Sequence, residues 1–215
     1  MFSPSRPRIL IADDHALIAE AFKKLLLAEF DVVAVVHDGR RLVETARNLM
    51  PDIILVDIGM PLLNGLQAAQ RIKRLLPKAK LVFVTINQDP QLVGEAFKQG
   101  ADAYLPKTAA VSELLLAIKK AMNGEQYMSP LLARGLDENH SEPEFAESES
   151  TKLTERQLEV LQLIGEGKSM KEVAAVLNLT PRTVAFHKYR LMQTLQLKND
   201  AEVVQYAVRR RIVFE

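Results

Sequence analysis

The chain has 215 residues, 48% of them hydrophobic and 26% charged, with a net charge of +1 and no cysteine. That length fits one large domain or two small ones, and the apolar share can fill a core. The absence of cysteine excludes disulfides and thiolate metal sites and suits a reducing cytosol. No apolar run reaches about 18 residues, so no transmembrane helix is expected. Met1-Phe2-Ser3-Pro4 lacks a long apolar core and predicts no signal peptide. The expectation is a soluble cytoplasmic protein with no membrane partner.

Strand-like apolar runs fall near 8–13, 31–36, 52–57, 80–85 and 102–105. Helical patterns fill the intervals near 15–28, 39–49, 65–76, 90–99 and 111–123. Helical spacing runs through Leu17, Ala21, Leu25 and Ala28, and through Val111, Leu114, Leu115 and Ile118. Gly100 and Gly124 stand where helices should stop, and Pro51 and Pro77 block helix continuation. Alternating strands and helices predict an α/β fold, a five-stranded doubly wound parallel sheet of the flavodoxin type.

Chemistry gathers at the ends of these runs. Asp13 and Asp14 close Ile9-Leu10-Ile11-Ala12, and Asp57 closes Ile53-Ile54-Leu55-Val56. Lys107 follows a third, shorter run. Ligands of open α/β sheets collect at the carboxyl ends of the strands, so three carboxylates and one ammonium should converge there. Clustered carboxylates repel unless a cation joins them, and hard oxygen ligands suit Mg2+. A carboxylate beside a cation, with a lysine opposite, can accept a phosphoryl group.

Asp13, Asp14, Asp57, Met60-Pro61, Gly65, Thr85, Tyr104 and Pro106-Lys107, in this order, resemble the receiver domain of two-component response regulators. The resemblance covers 7–125. It implies that Asp57 is the phosphoacceptor, served by a sensor histidine kinase. Asp13, Asp14, Asp57 and the Gly59 backbone carbonyl would hold Mg2+. Lys107 would neutralise phosphoryl oxygens, and the Thr85 hydroxyl would bond one of them. Tyr104 would then turn inward as a switch. Pro106 resembles the proline that follows a cis peptide in receivers. His15 reads as local packing. Ile86 stands where alanine is frequent, and Asn64 where aspartate is frequent before Gly65.

From Leu136 to Ser150 there are six acids and no Lys or Arg, so 126–150 reads as a linker. A helix could extend through Leu131 to Leu136. From Thr151 to Glu215 there are eleven Lys plus Arg against seven acids, a balance of +4 that suits a polyanion. Thr154, Ser169 and Thr180 are helix N-caps, and Pro181 opens a helix running to about Leu195. A last helix runs from Asp200 to about Arg210. Val203, Val204 and Ala207 on it form either a dimer surface or core. Two helices joined by Asn178-Leu179-Thr180 within four predict an all-α four-helix helix-turn-helix domain at 151–215.

Leu153-Thr154-Glu155-Arg156, Glu159-Val160-Leu161, Gly167-Lys168-Ser169, Lys171-Glu172-Val173-Ala174, Leu177, and Thr183-Val184 with His187 resemble the LuxR-type DNA-binding domain. The whole chain is similar to NarL/FixJ-type response regulators. The resemblance implies transcription control through double-stranded DNA and a homodimer when phosphorylated. Its groove-facing positions fall on Ala185, Phe186 and Tyr189, with His187 and Lys188 nearby. Lys168, Arg182, Lys188 and Arg190 are candidate phosphate partners. Ala185 replaces a common lysine, which favours apolar contact with thymine methyls over hydrogen-bond readout. Two other readings compete. An aspartate-nucleophile phosphohydrolase needs an acid two residues after its nucleophile, but position 59 is Gly. An inert receiver would not need the intact acid trio and Lys107.

Overall fold

The computed structural model describes residues 6–86, 89–132 and 153–213. Most of the expected linker at 126–150, and the helix expected beyond Leu132, lie outside the described residues. The chain divides into two compact units, each taken here by itself.

The first unit alternates β1 (Arg8–Ala12), α1 (Ala16–Leu26), β2 (Asp31–Val36), α2 (Gly39–Leu49), β3 (Ile53–Val56), α3 (Gly65–Leu75), β4 (Lys80–Thr85), α4 (Pro90–Lys98), β5 (Ala103–Pro106), α5 (Val111–Met122) and β6 (Tyr127–Met128). The sheet order is β2-β1-β3-β4-β5-β6, with every pair parallel. A sixth strand therefore joins the five expected. It is two residues long and pairs Ala103 with Tyr127 and Tyr104 with Met128. So short a strand has no periodicity to read, and it falls within the expected linker.

Ile9, Ile11, Ile53, Leu55, Val82, Val84, Ala103 and Leu105 form one core with Ala19 and Leu26 of α1 and Leu114, Ala117 and Ile118 of α5. The alternate strand residues Leu10, Ile54, Phe83 and Tyr104 are also fully buried. Burial on both faces explains the unbroken apolar runs. The Leu17-Ala21-Leu25-Ala28 stripe of α1 is not its buried face. Leu17 is 88% exposed and Leu25 is also exposed, whereas Ala19 and Leu26 are buried and Phe22 packs against them. Ala16-Leu17-Ile18-Ala19 carries apolar residues all round the helix, so periodicity could not choose between two stripes. On α5, Leu114 and Ile118 are buried, Leu115 packs against the core, and Val111 is exposed.

The second unit holds α6 (Glu155–Gly165), α7 (Met170–Leu177), α8 (Pro181–Leu195) and α9 (Asp200–Arg209). Thr154 and Ser169 begin capping boxes with Gln157 and Glu172, and Thr180 accepts the Thr183 N–H. Asn178 adopts φ 52°, which ends α7 and makes the tight turn into α8. Val160, Leu161, Val173, Val184, Leu191, Val203 and Ala207 share one core. The apolar face of α9 is therefore the core of its own unit, with Val204 packed beside it. Among the described residues no helix is long and apolar enough to cross a membrane.

Candidate functional site

The strand order reverses between β1 and β3, the place where open α/β sheets open a crevice. The Asp57 N–H donates to Ala12 O at 2.9 Å, which carries Asp57 to the lip beside Asp13. The Lys107 N–H donates to Thr85 O at 2.8 Å and brings the end of β5 alongside β4. The Lys107 ammonium is buried and donates to Asp13 Oδ2 and Asp57 Oδ2, both at 2.8 Å. Burial disfavours its charge, but the two carboxylates outweigh that and raise its pKa above the ordinary lysine value.

The two oxygens of Asp57 have different fates. Oδ2 is held by Lys107, while Oδ1 is buried with no hydrogen-bond partner. A buried, unpartnered carboxylate oxygen is costly unless a cation or donor meets it. Atoms of Asp13, Asp14, His15 and Asp57 lie within 4.8 Å of one another. The orphaned oxygen and the hard donors fit a divalent cation such as Mg2+. The expectation of local packing for His15 is corrected. Its side chain is half exposed, with Nδ1 2.8 Å from Asp14 Oδ1. The residue begins a helix at the surface, where no core is available to pack into.

Thr85 is buried at the end of β4, beside this cluster in the sheet. Tyr104 is fully buried and stacks on Phe83, with ring centroids 6.1 Å apart. The Leu105–Pro106 bond is trans, since no cis peptide occurs among the described residues. Pro106 pairs in register with Thr85 as an ordinary strand residue, and trans is the default isomer.

One supporting residue, and the reason for another, are not legible in the sequence. His37 Nδ1 lies 2.7 Å from the Asp13 carbonyl oxygen, and no spacing in the sequence announces that contact. Gly65 was noted within a motif, but its cause is steric. A Cβ there would stand 2.1 Å from the Asp57 carbonyl oxygen.

On the second unit, Val184 and Leu191 bury one face of α8. Phe186 and Tyr189 are 55% and 60% exposed on the other, with Arg182, Ala185 and Arg190 exposed beside them. The Arg190 guanidinium lies 5.5 Å from the Phe186 ring centroid, and Gln193 donates to the Tyr189 hydroxyl at 2.8 Å. His187 is half-buried against the edge of the Phe186 ring. Lys188 stands apart from this face. It is 18% exposed and ion-paired with Asp200. Lys168 lies 3.7 Å from Glu166.

Residues 9–119 match the response regulator receiver domain family, and residues 151–207 match the bacterial regulatory proteins of the luxR family. Response regulator UvrY of Escherichia coli is 30% identical over 203 residues, covering 94% of this chain and 93% of UvrY. The chain belongs to the NarL/FixJ-type response regulators. A two-component response regulator of the LuxR family from Aurantimonas has 29% identity and a TM-score of 0.59, over 62% of this chain and 97% of that one. RcsB, solved as two dimers bound to two parallel DNAs, shares the fold at 23% identity and a TM-score of 0.59, over 94% of this chain and 98% of RcsB. This response regulator is thus a transcription regulator with a receiver domain and a LuxR-type helix-turn-helix domain.

Proposed function

We propose that the regulator accepts a phosphoryl group on Asp57 from a sensor histidine kinase. In this reading the receiver spans 7–125, the linker 126–150 and the DNA-binding domain 151–215. The phosphorylated form pairs as a homodimer and reads specific double-stranded DNA in the cytoplasm. The observation that carries the first step is the divided environment of Asp57, one oxygen held by Lys107 and the other buried without a partner.

Asp13, Asp14, Asp57 and the Gly59 carbonyl would hold Mg2+. When bound, Mg2+ offsets the negative charge of the carboxylates and of the incoming phosphoryl oxygens. Lys107 orients Asp57 and supplies positive charge on the opposite side. The carboxylate forms the new O–P bond as the P–N bond of the donor's phosphohistidine breaks. The Thr85 hydroxyl stands ready for a phosphoryl oxygen. Tyr104, already inside and stacked on Phe83, is the switch partner of Thr85. Gly59 offers only backbone, so no side-chain acid two residues on can drive phosphohydrolase turnover.

On α8, Phe186, Tyr189 and Ala185 read the major groove through apolar contact, and Arg182 and Arg190 meet phosphates. The same fold in RcsB, with its DNA-bound dimers, supports this output. Incubation of full-length protein with a small acyl phosphate and Mg2+ tests the input. One phosphoryl per chain is expected by mass analysis, and none with Asp57→Asn or after chelation. Undiminished labelling of Asp57→Asn, or rapid turnover of the donor, overturns the reading.

A further inference from the structure

His15 is the residue before α1, the N-cap position that Ser, Thr, Asp or Asn usually fill. Its side chain makes no capping hydrogen bond. The ring turns instead toward the acids. Nδ1 lies 2.8 Å from Asp14 Oδ1 and 3.4 Å from Asp13 Oδ1. Its own N–H donates to Asp13 Oδ1 at 2.9 Å, which fixes the turn that brings the ring there.

We propose that His15 adds an imidazole nitrogen to the acidic cluster, so that the site favours a first-row transition-metal dication over Mg2+ more than its carboxylates alone would. The inference rests on the reading of that cluster as a divalent-cation site. Two independent features support it. The first is the buried, unpartnered Oδ1 of Asp57, a residue of the same cluster as His15. The second is spacing. Atoms held about 2.1 Å from one octahedral ion lie about 3 Å apart when adjacent and about 4.2 Å when opposite. The two His15 distances bracket the adjacent value, and the widest separation of 4.8 Å closes with a shift of about 0.6 Å.

Charge points the same way. Three carboxylates and the Lys107 ammonium leave a deficit that one dication matches. A neutral imidazole then adds a lone pair without changing that balance. Imidazole suits Fe2+, Ni2+ and Zn2+ better than Mg2+, which keeps oxygen ligands and water. Half-exposed, the ring can close on an ion without disturbing the core.

Pulsed EPR of the full-length protein loaded with Mn2+ tests the proposal, because a directly bound imidazole gives a nitrogen coupling. Wild type should show that coupling and His15→Ala should lose it. Zn2+ affinity should fall at least about tenfold in His15→Ala, with Mg2+ affinity, read by competition with Mn2+, changing less than about threefold. Equal loss for both ions overturns the proposal and makes His15 a residue that only orients Asp14. Mn2+ bound by wild type without nitrogen coupling overturns the His15 inference and leaves the cation reading standing. If wild type takes up no Mn2+ that Mg2+ displaces, both fall. The wild-type spectrum is decisive even if the variant folds poorly.

Discussion

Asp13, Asp57 and the Lys107 ammonium of the receiver are buried and paired with one another, whereas α8 turns Phe186 and Tyr189 out to solvent. The pocket is assembled from strand ends far apart in sequence, at 13, 57 and 107. Its geometry is held by the ladder that joins β1, β3, β4 and β5. The outer face of α8 comes from one helix and is fixed by which side is apolar. A bond-making site needs groups held within tenths of an ångström, and it obtains them from crowded backbone. A reading face needs only direction and exposure. Substitutions that crowd the pocket should therefore cost more than equivalent ones in the core of the helical unit.

Two glycines make that contrast measurable. A Cβ at Gly65 would stand 2.1 Å from the carbonyl oxygen of Asp57, and backbone there cannot yield without moving the phosphoacceptor. Gly65→Ala should cost about 3 kcal/mol or more in urea unfolding of the receiver. It should also slow phosphoryl uptake by the molecules that remain folded. A Cβ at Gly165 would stand 2.7 Å from Val213 Cγ2, which can rotate away, and 2.7 Å from Ala207 Cβ, which moves only with its helix. Gly165→Ala should cost about 1–3 kcal/mol in the helical unit and leave phosphoryl uptake unchanged. Equal costs would break the comparison.

Legibility follows the same division. Five strands of a parallel sheet were readable because buried parallel strands are continuous apolar runs separated by helical patterns. The acids at 13, 14 and 57 were readable as a set because strand ends are where a parallel sheet places its ligands. The face of α1 was not readable, since Leu17 and Leu25 are as apolar as Phe22 and Leu26. The two-residue β6 left no pattern. On α8 the groove-facing aromatics came from the resemblance to LuxR-type domains, not from periodicity. The partners of the basic residues were not readable, because Asp200 and Glu166 reach Lys188 and Lys168 through folding rather than through a motif.

Away from the pocket, Asp102 sharpens the comparison with a pH signature. Its carboxylate accepts from Lys73 and Lys80, each at 2.9 Å, and from the Leu81 N–H at 3.0 Å. Burial alone would raise its pKa, but the lysines and the amide outweigh that and lower it. A carboxyl whose folded pKa lies below its unfolded value, about 3.9, stabilises fully above that value. That stability is lost as pH falls through the folded pKa. Asp102→Asn should cost about 1–3 kcal/mol near neutrality. The gap to wild type should narrow as pH drops below about 4. A gap constant with pH in urea unfolding would show that the carboxylate's charge contributes nothing.

The smallest effect should come from Lys188. On a helix that turns about 100° per residue, Lys188 stands about 40° from the buried Val184, whereas Phe186 stands about 200° from it. Lys188 therefore flanks the core side of α8, where Asp200 takes its ammonium. Such an ion pair, with Asp200 largely exposed, stabilises by about 0–1 kcal/mol. Arg182, exposed at the start of α8, lies on the reading side. Replacing Arg182 with Ala should flatten the salt dependence of DNA affinity by about one unit, equally on all sequences. Lys188→Ala should flatten it by clearly less and lower unfolding stability by less than about 1 kcal/mol. Asp200→Asn provides the complementary test. It releases the Lys188 ammonium, so DNA affinity should rise and its salt dependence should steepen. Titration of the three variants against scrambled duplexes at several salt concentrations separates these outcomes. If Lys188→Ala flattens the slope as much as Arg182→Ala does, DNA outcompetes Asp200 for the ammonium. The reading face would then extend about one residue further round the helix.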